Sequence, residues 1–232
     1  MGDRHRACSG ERGLTPTLSG LASWLKTRLE ESGTLRPGPV QVNRLALALD
    51  PADLPPTLEA EAIFLHRSHR LGHLFPQLGV LTSHDGFDAA LTTGENWALA
   101  RTLGWTDARP LQLRSAAGLI ATAPQNDWPG LLASLEAEFG GLEEVLAPPD
   151  FQPRLALLNA MRPELLDAVF KESAGVLVTG QMRRSALPRA RELGLGVVAL
   201  GHRRSELWGL RQLAGDLMEA FPDLVCTVYG KA

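Results

Sequence analysis

Apolar residues recur at Leu18, Leu21, Leu25 and Leu29 in a mixed background, the three-to-four spacing that gives a helix one apolar stripe. The stretch ESGTLRPGP, with its glycines and prolines, ends that helix. Beyond it the apolar pattern shortens into continuous runs: VNRLALALD (42–50), AIFLH (62–66) and LGVLTSH (78–84). Runs of this length without alternation predict strands buried on both faces. TGENWALARTL (93–103) returns to helical spacing, LGWTDARP reads as a connection, and AAGLIATAP (116–124) predicts a further strand.

NDWPGLLASLEAEFGG carries the best-marked helix, with Asn126 or Asp127 to cap it, Pro129 in the first turn and Gly140 at its end. From there strands and helices alternate. RLALL (154–158), GVLVTG (175–180), LGVVALGH (195–202) and LVCTVY are strands, separated by helices in PELLDAVFKES, SALPRARELG and SELWGLRQLAGDLMEAF. Pro188 either disturbs the second of these helices or marks its first turn. The alternation predicts an α/β fold of two pseudo-symmetric halves, with helices flanking the sheets. Residues 1–13 are expected to be a disordered tail, 14–107 the first half and 108–232 the second, packed as one compact unit.

Composition narrows the function classes. The chain has 232 residues, 44% hydrophobic and 21% charged, enough apolar material for a substantial core. Its formal net charge is −3 and its arginines fall in pairs rather than in a basic run, which argues against nucleic acid as a partner. Two cysteines, Cys8 and Cys226, make neither a disulfide framework nor a zinc knuckle and suit a reducing cytoplasm. No apolar stretch approaches bilayer length, so no membrane role is expected.

Candidate chemistry lies where two segments repeat one plan. LGVLTSHDGFDAAL (78–91) and LGVVALGHRRSELWGL (195–210) each begin a strand with Leu-Gly-Val, place a histidine at its C-terminal end and put a carboxylate four residues later. The pairs are His84 with Asp88 and His202 with Glu206, and His66 ends another apolar strand. Imidazole and carboxylate together suit zinc, iron or manganese, and C-terminal strand ends are where open α/β sheets bind ligands. Either pair alone fits a surface hydrogen-bonded pair as well as a metal site. His69, His73 and Asp85 read as polar surroundings rather than ligands. No dinucleotide fingerprint, phosphate loop or nucleophile elbow is present.

VNRLALALD, AIFLHR, LTSHDGFDAALTTGENWALARTLG and GVLVTGQMRRSALPRARELGLGVVALGHRRSE together resemble, in order, the motifs of the GTP cyclohydrolase 1 type 2-like (Nif3-like) family of dinuclear metal-centre proteins. The resemblance implies two related α/β halves, a homohexamer, and metal ligation by His66, His84, Asp88, His202 and Glu206. It also exposes departures. Arg67 stands where the family's second histidine is usual, Gln181 where a glutamate is usual and Arg184 where a histidine is usual. LLNAMRP replaces a glycine-rich turn, and the segments before and after His66 are short for the family. A guanidinium cannot ligate a metal, so these changes oppose a second ion, and one metal per subunit is expected rather than two.

Two functions follow from the resemblance and its departures. One is a metal-dependent hydrolase of a small phosphorylated or nucleotide-like molecule, with Arg67, Gln181 and Arg184 beside the metal and the two arginines clamping phosphate oxygens. The other is a non-catalytic binding or regulatory scaffold holding one structural metal or none. No residue is assigned a catalytic role from sequence, and a small anionic molecule is the expected ligand beside self-association.

Overall fold

The apolar runs form two sheets. A computed structural model describes residues 16–231 apart from Ser32 and Gln112; the expected tail at 1–13 lies outside the described residues. Helix α1 (Leu18–Leu29) leads into β1 (Gly33–Arg36), β2 (Arg44–Ala48), β3 (Ala62–Leu65) and β4 (Gly79–Thr82), followed by α2 (Asp85–Leu91) and α3 (Trp97–Thr102). Strands β5 (Thr106–Pro110) and β6 (Gly118–Thr122) precede α4 (Trp128–Phe139), β7 (Glu144–Leu146), β8 (Arg154–Leu158) and α5 (Pro163–Lys171). The chain closes with β9 (Val176–Thr179), α6 (Leu187–Glu192), β10 (Gly196–Ala199), α7 (His202–Ala220) and β11 (Val225–Tyr229). Pro188 lies in the first turn of α6, and α4 is capped by Asp127, whose side chain accepts from the Gly130 amide, with Gly140 left-handed at its end.

The first sheet has the order β1-β4-β3-β2-β11, with β4, β3, β2 and β11 parallel and β1 antiparallel at one edge. The second runs β5-β6-β8-β9-β10-β7, with β8, β9 and β10 parallel. β5, β6 and β7 join it antiparallel. Both faces of each sheet are covered, which is why the strands read as unbroken apolar runs. Leu45 and Leu47 of β2 turn to one face, against α1 and α7, while Ala46 and Ala48 turn to the other, against Leu54 and Leu71. In the second sheet Leu155 and Leu157 meet α4, and Ala156 and Leu158 meet α5 and α6.

The connectivity is not a simple division near residue 107. That point falls inside β5, and the last helix and strand return to the first sheet, where β11 pairs with β2 from Val225↔Arg44 to Tyr229↔Ala48. Along α7, Leu207, Leu210, Leu213 and Leu217 enter the first core, whereas Trp208 enters the second. The helix is therefore the beam between the lobes. Strands β1, β5 and β7 were not expected from the sequence; all three lie at sheet edges, where exposure removes the apolar signature.

Cys226 lies in β11 beside the first core, and burial pushes its thiol up to about 12. The thiolate is what attacks a disulfide reagent, so this cysteine is expected to react slowly near neutral pH in the folded chain. In a Cys8→Ser variant, dithionitrobenzoate at pH about 8 is expected to give no fast reaction until denaturant is added. Rapid labelling of native protein would contradict that packing.

Candidate metal centre

Three strand ends of the first sheet deliver the chemistry. Asp50 follows β2, His66 follows β3, and Ser83 and His84 follow β4. The β4 turn is held from below: Glu31 Oε2 accepts from Ser83 Oγ (2.9 Å), the His84 amide (3.0 Å) and the Gly86 amide (2.7 Å). That carboxylate satisfies first-turn amides of α2, which lacks a side-chain cap at His84. Gly86 is required there because a Cβ would lie 2.1 Å from the Leu29 carbonyl. On the other side, Gly201 adopts φ 94°, so α7 starts at His202 rather than three residues later as the sequence pattern indicates. His202 and Glu206 then sit four apart on one helix face, with Nε2 3.1 Å from Oε1.

The His66 and His84 rings stack at 4.6 Å with planes 9° apart, and Phe87 packs against His66 at 4.7 Å. Ligand atoms of His66, His84 and Asp88 all lie within 4.8 Å of one another, so this triad could hold a metal ion. The hydrogen-bond pattern around it fits a cation. His66 Nδ1 lies 3.2 Å from the Ser83 carbonyl, which can only accept, so Nδ1 carries a hydrogen. Nε2 then faces Glu206 Oε1 at 3.1 Å and Asp88 Oδ1 at 3.5 Å, a position that a second ring proton or a bound cation satisfies. A backbone carbonyl on the far nitrogen is the usual support for a ligating histidine. Asp88 Oδ1 and Glu206 Oε2 are buried without a hydrogen-bond partner, which further suits a donor set awaiting an ion. His84 Nδ1 is held by exposed Asp85 at 2.9 Å.

Arg67 completes the charge pattern. Its Nη1 is 2.5 Å from Glu206 Oε1, and its Nε and Nη2 grip Asp50 at 3.2 and 2.9 Å. Asp50 is also 3.7 Å from Arg203, which pairs with Asp53 as well. Burial alone would push the Glu206 carboxyl up, but the His66 hydrogen bond, the His202 charge and the Arg67 hydrogen bond outweigh it and hold it below the usual value. Burial raises Asp88 instead, and the Glu206 charge adds to the rise against the three histidines. Arg67 is driven above its ordinary value because its bonds to Asp50 and Glu206 outweigh the cost of burial.

Beside the cluster a cavity of about 280 Å³ opens between the lobes. Asp88 and His202 form the wall on the cluster's side, and Asn159, Arg162, Gln181 and Arg183 come from the second lobe. The structure thus brings His66, Arg67, His84, Asp88, His202 and Glu206 together and sets Gln181 on the adjoining cavity. Arg184 is not among the cavity's lining residues; its neighbour Arg183 is. His69 and His73 are exposed. Glu31, Asp50, Arg162 and Arg183 escaped sequence reasoning. Asp50 alone left a signal, a single acid at the end of an apolar strand.

Two lobes of helix-flanked sheets meeting at a histidine-carboxylate cluster on strand ends define a two-lobed α/β protein with a candidate metal centre. The Duf34/NIF3 (NGG1p interacting factor 3) family profile matches residues 74–230, and the chain belongs to that family. Its fold is shared by the solved structure of protein ybgI, of unknown function, at TM-score 0.73 and 20% identity over 91% of this chain and 97% of that one. TTHA1606 from Thermus thermophilus matches at TM-score 0.70 and 20% identity, covering 93% and 98%. Reduced HcgD from Methanocaldococcus jannaschii matches at 0.66 and 17% identity, covering 93% and 98%. Among curated proteins, none matches the sequence.

Proposed function

We propose that the chain holds one divalent metal ion through His66, His84 and Asp88, with His202 and Glu206 closing the set, and works as a metal-dependent hydrolase on a small molecule in the adjoining cavity. The observation that carries this reading is that Asp88 belongs to both the metal-holding triad and the cavity wall. A divalent cation there would supply Lewis acidity toward a carbonyl or phosphoryl group. The chain's own residues fix the rest. The Ser83 carbonyl and Phe87 orient His66, Glu31 holds the turn that bears His84, and α7 sets His202 and Glu206 on one face.

Arg67 supports one ion rather than two. Its guanidinium already supplies the positive charge between Asp50 and Glu206, so a second dication would have to displace it. The mixed nitrogen and oxygen donors suit zinc, iron or manganese alike. Self-association, as a homohexamer in the cytoplasm, belongs to the same proposal; Leu35 and Val225, exposed on the two outer strands of the first sheet, offer apolar surface for it. No helix among the described residues is long and apolar enough to cross a membrane.

Elemental analysis of protein purified without a metal-affinity tag tests the reading. We expect about one equivalent per chain in the wild type, and a His66→Ala variant that folds but retains almost none. Metal-dependent release of product from phosphomonoesters would then establish the hydrolase. Metal without turnover favours the scaffold, in which Arg67, His202 and His66 gathered on one carboxylate oxygen fasten α7 to the end of β3. A wild type that takes up no metal sinks the proposal.

A further inference from the structure

We infer that the cavity is a phosphate-binding subsite in which Arg183, aided by Arg162, grips the anionic group of the substrate from the second lobe. This deepens the metal-centre reading and rests on it for the reaction, though not for the binding. The arginines expected from sequence to do this work are unsuited to it. Arg67 is held by Asp50 and Glu206, and Arg184 does not line the cavity. Arg183 does line it, and among the described residues its guanidinium makes no hydrogen bond or ion pair. Its backbone is fixed instead, the amide donating to Met161 Sδ at 3.3 Å. A planar five-donor fork without a carboxylate partner, on a residue at the rim of an open cavity, is suited to phosphate oxygens.

Neighbouring groups strengthen the case. Arg162 also lines the cavity; its Nη2 donates to the Ser115 carbonyl and hydroxyl at 2.8 and 2.9 Å, and its Nε lies 3.4 Å from Glu164, which leaves Nη1 for a ligand. Arg162 is the N-cap of the nine-residue α5, so the positive end of that helix dipole borders the same space. Asn159, with its Oδ1 taken by the Ala117 amide, keeps its NH₂ as a further donor. The carboxylate on the lining, Asp88, lies on the cluster's side. A volume of about 280 Å³ is at the small end for ligand pockets and suits a phosphomonoester of modest size rather than a dinucleotide.

Titration calorimetry with inorganic phosphate tests this, on protein carrying its metal and again after chelation. Arg183→Ala is expected to weaken phosphate binding about tenfold or more in both forms, with metal content unchanged. Arg183→Lys, a point charge without the fork, should fall between, and Arg184→Ala should match the wild type. Thermal melts on the same samples separate lost contact from lost fold. Wild-type affinity in the Arg162→Ala/Arg183→Ala double variant, or no phosphate binding by metal-loaded wild type at millimolar concentration, overturns the inference. Arginine-dependent phosphate binding by a wild type that takes up no metal would uphold the subsite while removing the metal reading.

Discussion

Arg67→Ala is expected to lower the stability of the metal-free protein by about 3 kcal/mol, because it takes the one permanent cation from a buried carboxylate and leaves only His66 and His202 beside it. Glu206 is 1% exposed and Arg67 21%, so water cannot replace the guanidinium at Glu206, although Asp50, 24% exposed, regains some solvent. The pH dependence has a definite sign. Glu206 is held below its ordinary value, so its ionised form stabilises the fold at neutral pH, and that stabilisation is lost as pH falls through the lowered value. The gap between wild type and Arg67→Ala should therefore be widest near neutrality and narrow in acid. Added divalent metal should recover part of the loss, since an ion that binds only the folded state stabilises it by mass action, and metal content should rise above that of the wild type. Urea denaturation at several pH values, with and without metal, checks each part. A variant as stable as wild type would show that Arg67 does not carry the charge of this site.

Phe87→Ala should cost about 3–5 kcal/mol, the range for emptying an aromatic site in a packed core. Phe87 is fully buried, packs against Phe64 with ring centroids 6.0 Å apart, and forms the surface on which the His66 imidazole rests. The variant should lose metal affinity as well as stability, since a histidine free to tilt no longer presents Nε2 to Asp88. Phe87→Leu, which refills most of the volume, should recover more of the stability than of the metal affinity. Equal recovery of both would mean that the ring acts only as filler. Denaturant midpoints and competitive metal titration give the two numbers.

The ease of reading this protein from sequence followed the environment of each residue. Buried parallel strands were legible because both faces are apolar, and the strand-end positions of His66 and His84 came with them. The edge strands β1, β5 and β7 were not, since pairing on one side and exposure on the other leave sequences such as TDARP without a strand signature. The repeated strand-end plan found the His202–Glu206 pair, although it placed His202 on the strand rather than in the first turn of α7. It could not find Arg162 or Arg183, which reach the same cavity only after α5 and the β9 loop are folded against the first lobe. Nor could it tell Arg183 from Arg184, where one residue changes the face. Arg67 was recognised as an intruding cation, but its partner Asp50 lies on a different strand end, and only the parallel pairing of β2 with β3 brings them together.

The return of α7 and β11 to the first sheet also sets an order of assembly. β2 cannot gain its neighbour β11 until a segment about 180 residues farther along has been made, whereas the second sheet draws on residues 106–199 alone. During synthesis the second sheet is therefore able to pair first, its core lacking only Trp208, while the first lobe waits half-built, with the apolar surface meant for Leu207, Leu210 and Leu217 still open. The segment that closes it also carries His202 and Glu206. The triad of His66, His84 and Asp88 lies on the early segment, so the two donors added by the late helix close the cluster only when α7 docks.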